Sequence, residues 1–151
     1  MARPVTRNRA SAKKAGSSFE RLVADYLASE LHDDRIDRRV KYGSNDRGDI
    51  AGLRTIRGGR IVLEAKDYGG RFEVSAWLNQ AELERGNDDA AIGAVVAKRR
   101  GVAAPAAQVV FMTLGTFAAL LEGGPDCMPV VAIAKEIGES NACTSVTQNA
   151  A

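Results

Sequence analysis

The sequence has one histidine, His32, and two cysteines, Cys127 and Cys143, among 151 residues. That scarcity excludes a Cys/His zinc cluster, a four-ligand zinc site and a disulfide framework. It excludes any site that needs two histidines, and leaves a serine or cysteine triad one candidate base. His32 lies between Leu31 and Asp33-Asp34, at the end of a helical pattern. There a histidine usually faces the C-terminal dipole and solvent. Also missing is any apolar run near the ~18–20 residues of a membrane helix. No apolar stretch follows Arg3, Arg7 and Arg9, so the N-terminus does not read as a secretory signal. The expectation is a reduced, cytoplasmic protein without membrane association. Its chemistry would be left to carboxylates, lysines and metal ions.

The length suits one domain, and 45% apolar and 26% charged residues are ordinary globular values. The net charge of +2 hides an uneven distribution. Residues 1–16 carry Arg3, Arg7, Arg9, Lys13 and Lys14 and no acid. Residues 35–60 carry eight cations against Asp37, Asp46 and Asp49. Lys98, Arg99 and Arg100 form a third basic cluster. Arginine outnumbers lysine 15 to 6, and guanidinium forks match phosphate oxygens. A nucleic-acid surface and an ordinary solvated surface fit this charge pattern equally well.

Three segments follow: a flexible basic arm over 1–16, a folded domain over 17–124, and a partly disordered extension over 125–151. Ser17-Ser18-Phe19-Glu20 fits a capping box, and Phe19, Leu22, Val23, Tyr26, Leu27 and Leu31 then recur at helical spacing over roughly 18–31. Extended segments are expected near 36–42, 48–55 and 60–66, with turn signals at Gly43-Ser44-Asn45 and Gly58-Gly59. A second helix spans about 76–87 with Ser75 as its cap; Trp77, Gln80, Ala81 and Glu84 share one face. Strands at 91–97 and 108–112, a short helix at 116–122 and a segment at 130–133 complete the pattern. Short turns make the first three strands an antiparallel meander. The helix before the fourth allows a parallel crossover. The fold class is therefore α/β, a mixed central sheet flanked by helices.

The chemistry concentrates on one hairpin. Asp49 opens a strand in Arg47-Gly48-Asp49-Ile50, and Glu64-Ala65-Lys66 closes the next. Side chains alternate along a strand, so Val62, Glu64 and Lys66 share a face opposite Ile61, Leu63 and Ala65. Two carboxylates converging on one point suit a hard cation such as Mg²⁺. A backbone carbonyl at Ala65 can add an oxygen. A nearby lysine can orient a water or stabilise charge on a phosphate. The plain alternative is a structural ion cluster: Asp49 with Arg47, and Lys66 with Glu64.

This arrangement resembles the PD-(D/E)XK nuclease superfamily, whose signature is an acid, a variable gap and Glu-x-Lys at the end of an apolar strand. Glu64-Ala65-Lys66 is the only Glu-x-Lys in the chain, and Glu20 stands near the start of a preceding helix. Within the superfamily the chain resembles archaeal-type Holliday junction resolvases. The carrying residues are Gly16-Ser17-Ser18-Phe19-Glu20-Arg21 and Arg47-Gly48-Asp49-Ile50-Ala51-Gly52. The resemblance covers roughly 16–100 and leaves the last 25 residues without a counterpart. The superfamily's proline just before the aspartate is absent, since Gly48 stands there.

The resemblance implies a restriction-endonuclease-like core and a Mg²⁺-dependent endonuclease, with Mn²⁺ able to substitute, that cuts four-way DNA junctions as a homodimer. No nucleotide cofactor is implied. Asp49 and Glu64 would ligate the metal, with Glu20 and the Ala65 carbonyl completing the set, and Lys66 would assist the attacking water. Without the resemblance Glu20 is simply a capping-box acid. Arg21 would face the scissile phosphate or pair with an acid. Gln80 is an accessory residue of the site or an exposed helix position. Arg47, Lys98, Arg99 and Arg100 are candidate DNA contacts, as are Tyr42 and Tyr68 beside the site. Trp77 reads as a core residue before it reads as a base-stacking one. Two rivals remain: a nuclease of the same superfamily acting on other DNA in repair, restriction or end-processing, and a non-catalytic DNA-binding module.

Overall fold

The computed structural model describes residues 8–40 and 46–123. Tyr42, the turn signal at 43–45, the segment at 130–133, both cysteines and the proposed extension lie outside them. The described chain is an α/β structure. Its elements are α1 (Arg9–Leu31), β1 (Asp37–Arg38), β2 (Ile50–Ala51), β3 (Ile61–Lys66), α2 (Val74–Asn87), β4 (Ile92–Ala97), β5 (Val109–Phe111) and α3 (Leu114–Leu121). The five strands form one mixed sheet in the order β1-β2-β3-β4-β5. β1, β2 and β3 are antiparallel neighbours. The α2 crossover makes β4 parallel to β3, and β5 returns antiparallel.

Helix α1 starts nine residues earlier than expected, with its cap at Asn8 rather than Ser17. Asn8 is its N-cap, and its side chain accepts the Ser11 N–H at 2.8 Å. Ser17 is interior to the helix, so the capping-box assignment is corrected. Residues 9–16 are helical rather than the expected arm. Ala10, Ala12, Lys13, Lys14 and Ala15 have high helix propensity, but the first turns are largely exposed and carry no apolar period. Propensity, not periodicity, was the signal. At the other end His32 is exposed and left-handed, with φ 50°, and caps the helix. Helix α2 likewise begins earlier than expected, with Glu73 at the cap position and Ser75 inside. Thr113 caps α3 by accepting the Thr116 N–H.

Alternation along the central strands sends side chains to two different layers. One face packs Leu63, Ala94 and Val96 against Phe19, Val23 and Ala24 of α1, with Ile36, Ile50 and Leu53 completing the larger core. The other face packs Val95 and Ala97 against Trp77 and Ala81 of α2. Trp77 is buried at 3% exposure, as expected of a core residue. It meets the rings of Tyr68, Phe72 and Phe111 edge-on or tilted.

Gly93 sets how closely α2 sits. A Cβ there would stand 2.9 Å from the Ala81 carbonyl oxygen and 3.1 Å from the Arg85 Cβ. Any side chain would push the helix off the strand. Gly93→Ala is expected to destabilise the protein by about 1–3 kcal/mol, the usual cost of overpacking. Urea denaturation checks this, and an unchanged midpoint would contradict the packing described.

Candidate metal centre

The β2–β3 register builds the site. Ile50 pairs with Leu63, so one residue further along Asp49 stands opposite Glu64, on the α2 face of the sheet. Its amide donates to the Leu63 carbonyl at 3.1 Å, and its Oδ2 accepts the Ala65 N–H at 2.9 Å. The carboxylate is thus held against the neighbouring strand, with the residue only 3% exposed. Gly48 makes this entry possible. Its φ is +85°, and a Cβ would lie 2.8 Å from the Val62 Cγ1. Proline, fixed near −65°, cannot occupy that conformation, which accounts for its absence before Asp49.

Glu64 and Lys66 emerge from the same strand face into the space beneath α2. Both are buried. Lys66 Nζ donates to Glu64 Oε1 at 2.7 Å and to Gln80 Oε1 at 2.9 Å. Gln80 in turn donates through Nε2 to Glu84 Oε1 at 2.8 Å. Gln80 is therefore part of the site, joining the strand lysine to a helix acid.

Two acids enter that the sequence did not single out as site residues. Glu84 is one turn beyond Gln80 and only 2% exposed. Asp46 is brought in by the chain before β2, where Asn87 Nδ2 donates to its carbonyl at 2.9 Å. Asp46, Glu64 and Glu84 each offer one carboxylate oxygen within 4.8 Å of the others'. A signal for Glu84 was present: it shares a helix face with Trp77 and Ala81, and an acid on a buried face needs a partner. Asp46 had no such signal, because its position depends on a tertiary tether.

The electrostatics follow from this crowding. Burial, then the nearby Asp49 charge, push the Glu64 carboxyl up to about 8; the Lys66 hydrogen bond opposes them. Burial also raises the Glu84 carboxyl, against hydrogen bonds with Glu64 and Gln80. The second oxygen of each acid is buried, and the two carboxyls share a proton in the hydrogen bond between them. Carboxylate oxygens converging on one space are the donor type that a hard divalent cation takes. Asp49, Glu64 and the Ala65 carbonyl are the residues that would hold one on the strand side.

The other sequence candidates are placed elsewhere. Glu20 is bound by Arg38, whose Nε and Nη2 lie 2.8 and 2.6 Å from its Oε2. It is not among the acids grouped at the site. Arg21 pairs with Asp37 and Asp25. Arg47 is exposed, 4.0 Å from Asp88, which also binds Arg39. Lys98 follows β4 directly, its N–H donating to the Lys66 carbonyl and its Nζ 3.6 Å from Asp67. Arg99 and Arg100 are exposed in the same loop, and Tyr68 lies just past β3. The basic cluster at 98–100 therefore rims the end of the sheet where Lys66 stands. Among the described residues no helix is long and apolar enough to cross a membrane. No family model, curated protein or solved structure matches the chain.

The raised Glu64 carboxyl has a testable sign. The folded, metal-free protein keeps this proton up to about pH 8, whereas the unfolded chain releases it near 4.5. Between those values the native state binds more protons than the unfolded one, so this group's contribution to stability falls as pH rises and levels off above the window. Thermal melts in EDTA should show that decline in the wild type and a flatter profile in Glu64→Gln. A steeper decline in the variant contradicts the assignment.

Proposed function

We propose that the protein is a divalent-metal-dependent endonuclease that hydrolyses phosphodiester bonds in DNA. The observation that carries this reading is the pairing of Asp49 with the end of β3. Its carboxylate is fixed on the Ala65 amide, beside a buried Glu64 that is itself bound to Lys66. An acid across from Glu-x-Lys at the end of an apolar strand is the feature shared with the PD-(D/E)XK nucleases. The mixed sheet with a helix on each face is compatible with their restriction-endonuclease-like core.

In this reading Asp49 and Glu64, with the Ala65 carbonyl, hold Mg²⁺ or Mn²⁺. Such a cation would supply charge neutralisation at the phosphate and a more acidic bound water. Lys66 positions the attacking water and stabilises the developing negative charge. Gln80 keeps the lysine's ammonium directed at the site. Arg99 and Arg100, on the rim, contact flanking phosphates. Four-way junctions are the substrate the resolvase resemblance favours. Symmetric cutting of a junction requires two sites related by a two-fold axis, hence a homodimer. Glu20 keeps its Arg38 pair and does not enter the metal set.

The test is cleavage of a labelled four-way junction and a linear duplex, each with Mg²⁺ or EDTA. Mg²⁺-dependent paired nicks in the junction are expected, with Lys66→Ala slower by about 10²–10⁴-fold, the usual worth of a positioned proton-transfer group. Cleavage of both DNAs at equal rates overturns the junction assignment alone. DNA binding without cleavage, unaltered in Glu64→Ala, would falsify the enzyme reading and favour a binding module.

A further inference from the structure

The turn between β3 and α2 exposes two aromatic rings beside cations. Tyr68 and Phe72 are 46% and 43% exposed. Both are held edge-on by the buried Trp77, with ring centroids 5.2 and 6.3 Å from its own, and Phe72 also meets Phe111 at 5.2 Å. The rings are thus fixed in place, so a partner meets them without having to order them first. Single exposed apolar side chains are ordinary. Two rings anchored on one indole form a patch, and a patch rimmed by charge marks an interaction site. The rim here is basic. Gly70, with φ +87°, packs the turn onto the loop after β4: a Cβ there would run into the Arg100 Cβ and lie 2.9 Å from its amide nitrogen. Arg71 stands over the Tyr68 ring at 5.8 Å. The acids of the turn are matched, Glu73 by Arg71 at 2.8 Å and Asp67 by Lys98 at 3.6 Å. The Arg71–Glu73 pair is exposed, so a phosphate can take the place of Glu73 at little cost. Arg99 donates to the Ala107 carbonyl at 3.1 Å and Arg100 is exposed, so neither is neutralised by a carboxylate among the described residues.

Half-exposed rings among guanidinium groups match one ligand chemistry, unpaired nucleobases on a phosphate backbone. Every base offers a π-face for stacking, and the cations track the phosphates. A paired duplex hides those faces. An apolar protein surface would answer the rings and leave the arginines without partners. We propose that Tyr68 and Phe72, with Arg71, Arg99 and Arg100, form a platform that takes the unpaired bases of single-stranded DNA. It adjoins the candidate metal centre: Asp67 follows Lys66 directly, and Trp77 is three residues before Gln80, on the same face of α2. The inference deepens the nuclease reading and rests on it for the choice of DNA. It makes the substrate a strand whose bases are unpaired, or can be turned out, next to the bond that is cut. The stacking itself needs neither metal nor cleavage.

Fluorescence anisotropy of the full chain in EDTA tests it, with labelled oligothymidylate, an abasic strand of equal length, and the oligothymidylate paired to its complement. Oligothymidylate should bind more tightly than the abasic strand. Tyr68→Leu removes a ring at an exposed position and should weaken oligothymidylate binding about 5–100-fold, the usual worth of one stacked base. Tyr68→Phe, which keeps the ring, should retain the affinity. Phe72→Leu should weaken binding in the same direction as Tyr68→Leu. Neither leucine variant should alter binding of the abasic strand or of the duplex, a control that a misfolded variant would fail. Arg100→Ala should weaken both single strands alike and lower the salt dependence. Equal binding of the two single strands, or oligothymidylate binding unchanged in both leucine variants, overturns the platform. Ring-dependent binding with no Mg²⁺-dependent cleavage of any DNA sinks the nuclease reading and leaves the platform standing. Mg²⁺-dependent cleavage with ring-independent binding does the reverse.

Discussion

The burial of Glu64 between β3 and α2 is the constraint on which the rest of this face depends. Burial disfavours its ionised form, and a neighbouring cation with hydrogen bonds offsets that only in part. Lys66, two residues along the same strand face, supplies the pair, and Gln80 steadies that lysine from the helix. The helix must come close for this to work, which is what the bare backbone at Gly93 permits. Asp49 must arrive from the other side, which is what the left-handed Gly48 permits. Each of these residues would be a poor choice in a purely apolar layer. Together they make a layer organised around one acid.

The two faces of the sheet consequently do different work. The α1 face buries Phe19, Val23, Ile50, Leu63 and Val96 in a continuous apolar cluster. The α2 face has a smaller apolar cluster around Trp77 and gives the rest of its area to Glu64, Lys66, Gln80 and Glu84. Apolar burial scales with area, so most of the hydrophobic stabilisation comes from the α1 side. That division lets the α2 side carry unfavourable charge density without dissolving the fold. The Glu20–Arg38 pair fits the same division. It links α1 to β1, away from the acid cluster.

The strands and the main face assignment were legible because they rest on local alternation. Ile61, Leu63 and Ala65 against Val62, Glu64 and Lys66 is a pattern of period two, and the structure keeps it. The Asp49–Glu64 approach was legible because a Gly58-Gly59 turn fixes the hairpin. The start of α1 was not, since exposed alanines and lysines have propensity but no period. The role of Glu20 was also obscured. A Ser-x-x-Glu pattern looks the same whether the acid caps a helix, binds a metal or, as here, pairs with an arginine eighteen residues on. Asp46 was out of reach for a different reason. The Asn87 tether, between residues far apart in sequence, helps hold it beside α2.

Charge illustrates why placement matters more than count. The segment 35–60 reads as a basic surface, yet Arg35, Arg38, Arg39 and Arg60 are each turned toward an acid of the same chain. The Arg39–Asp88 pair is the most buried of these, and exchanging its partner for a phosphate would strand Asp88 inside. The exposed pairs cost little to exchange, so they can adapt to a polyanion but do not define its path. In the nuclease reading, the cations left to define that path are those in the loop after β4. Arg99 and Arg100 sit in the loop that leaves β4 at the end of the sheet where Lys66 stands. In the proposed nuclease, acids beside a phosphate-binding loop would make the approach of a polyanion depend on their own protons or bound cations.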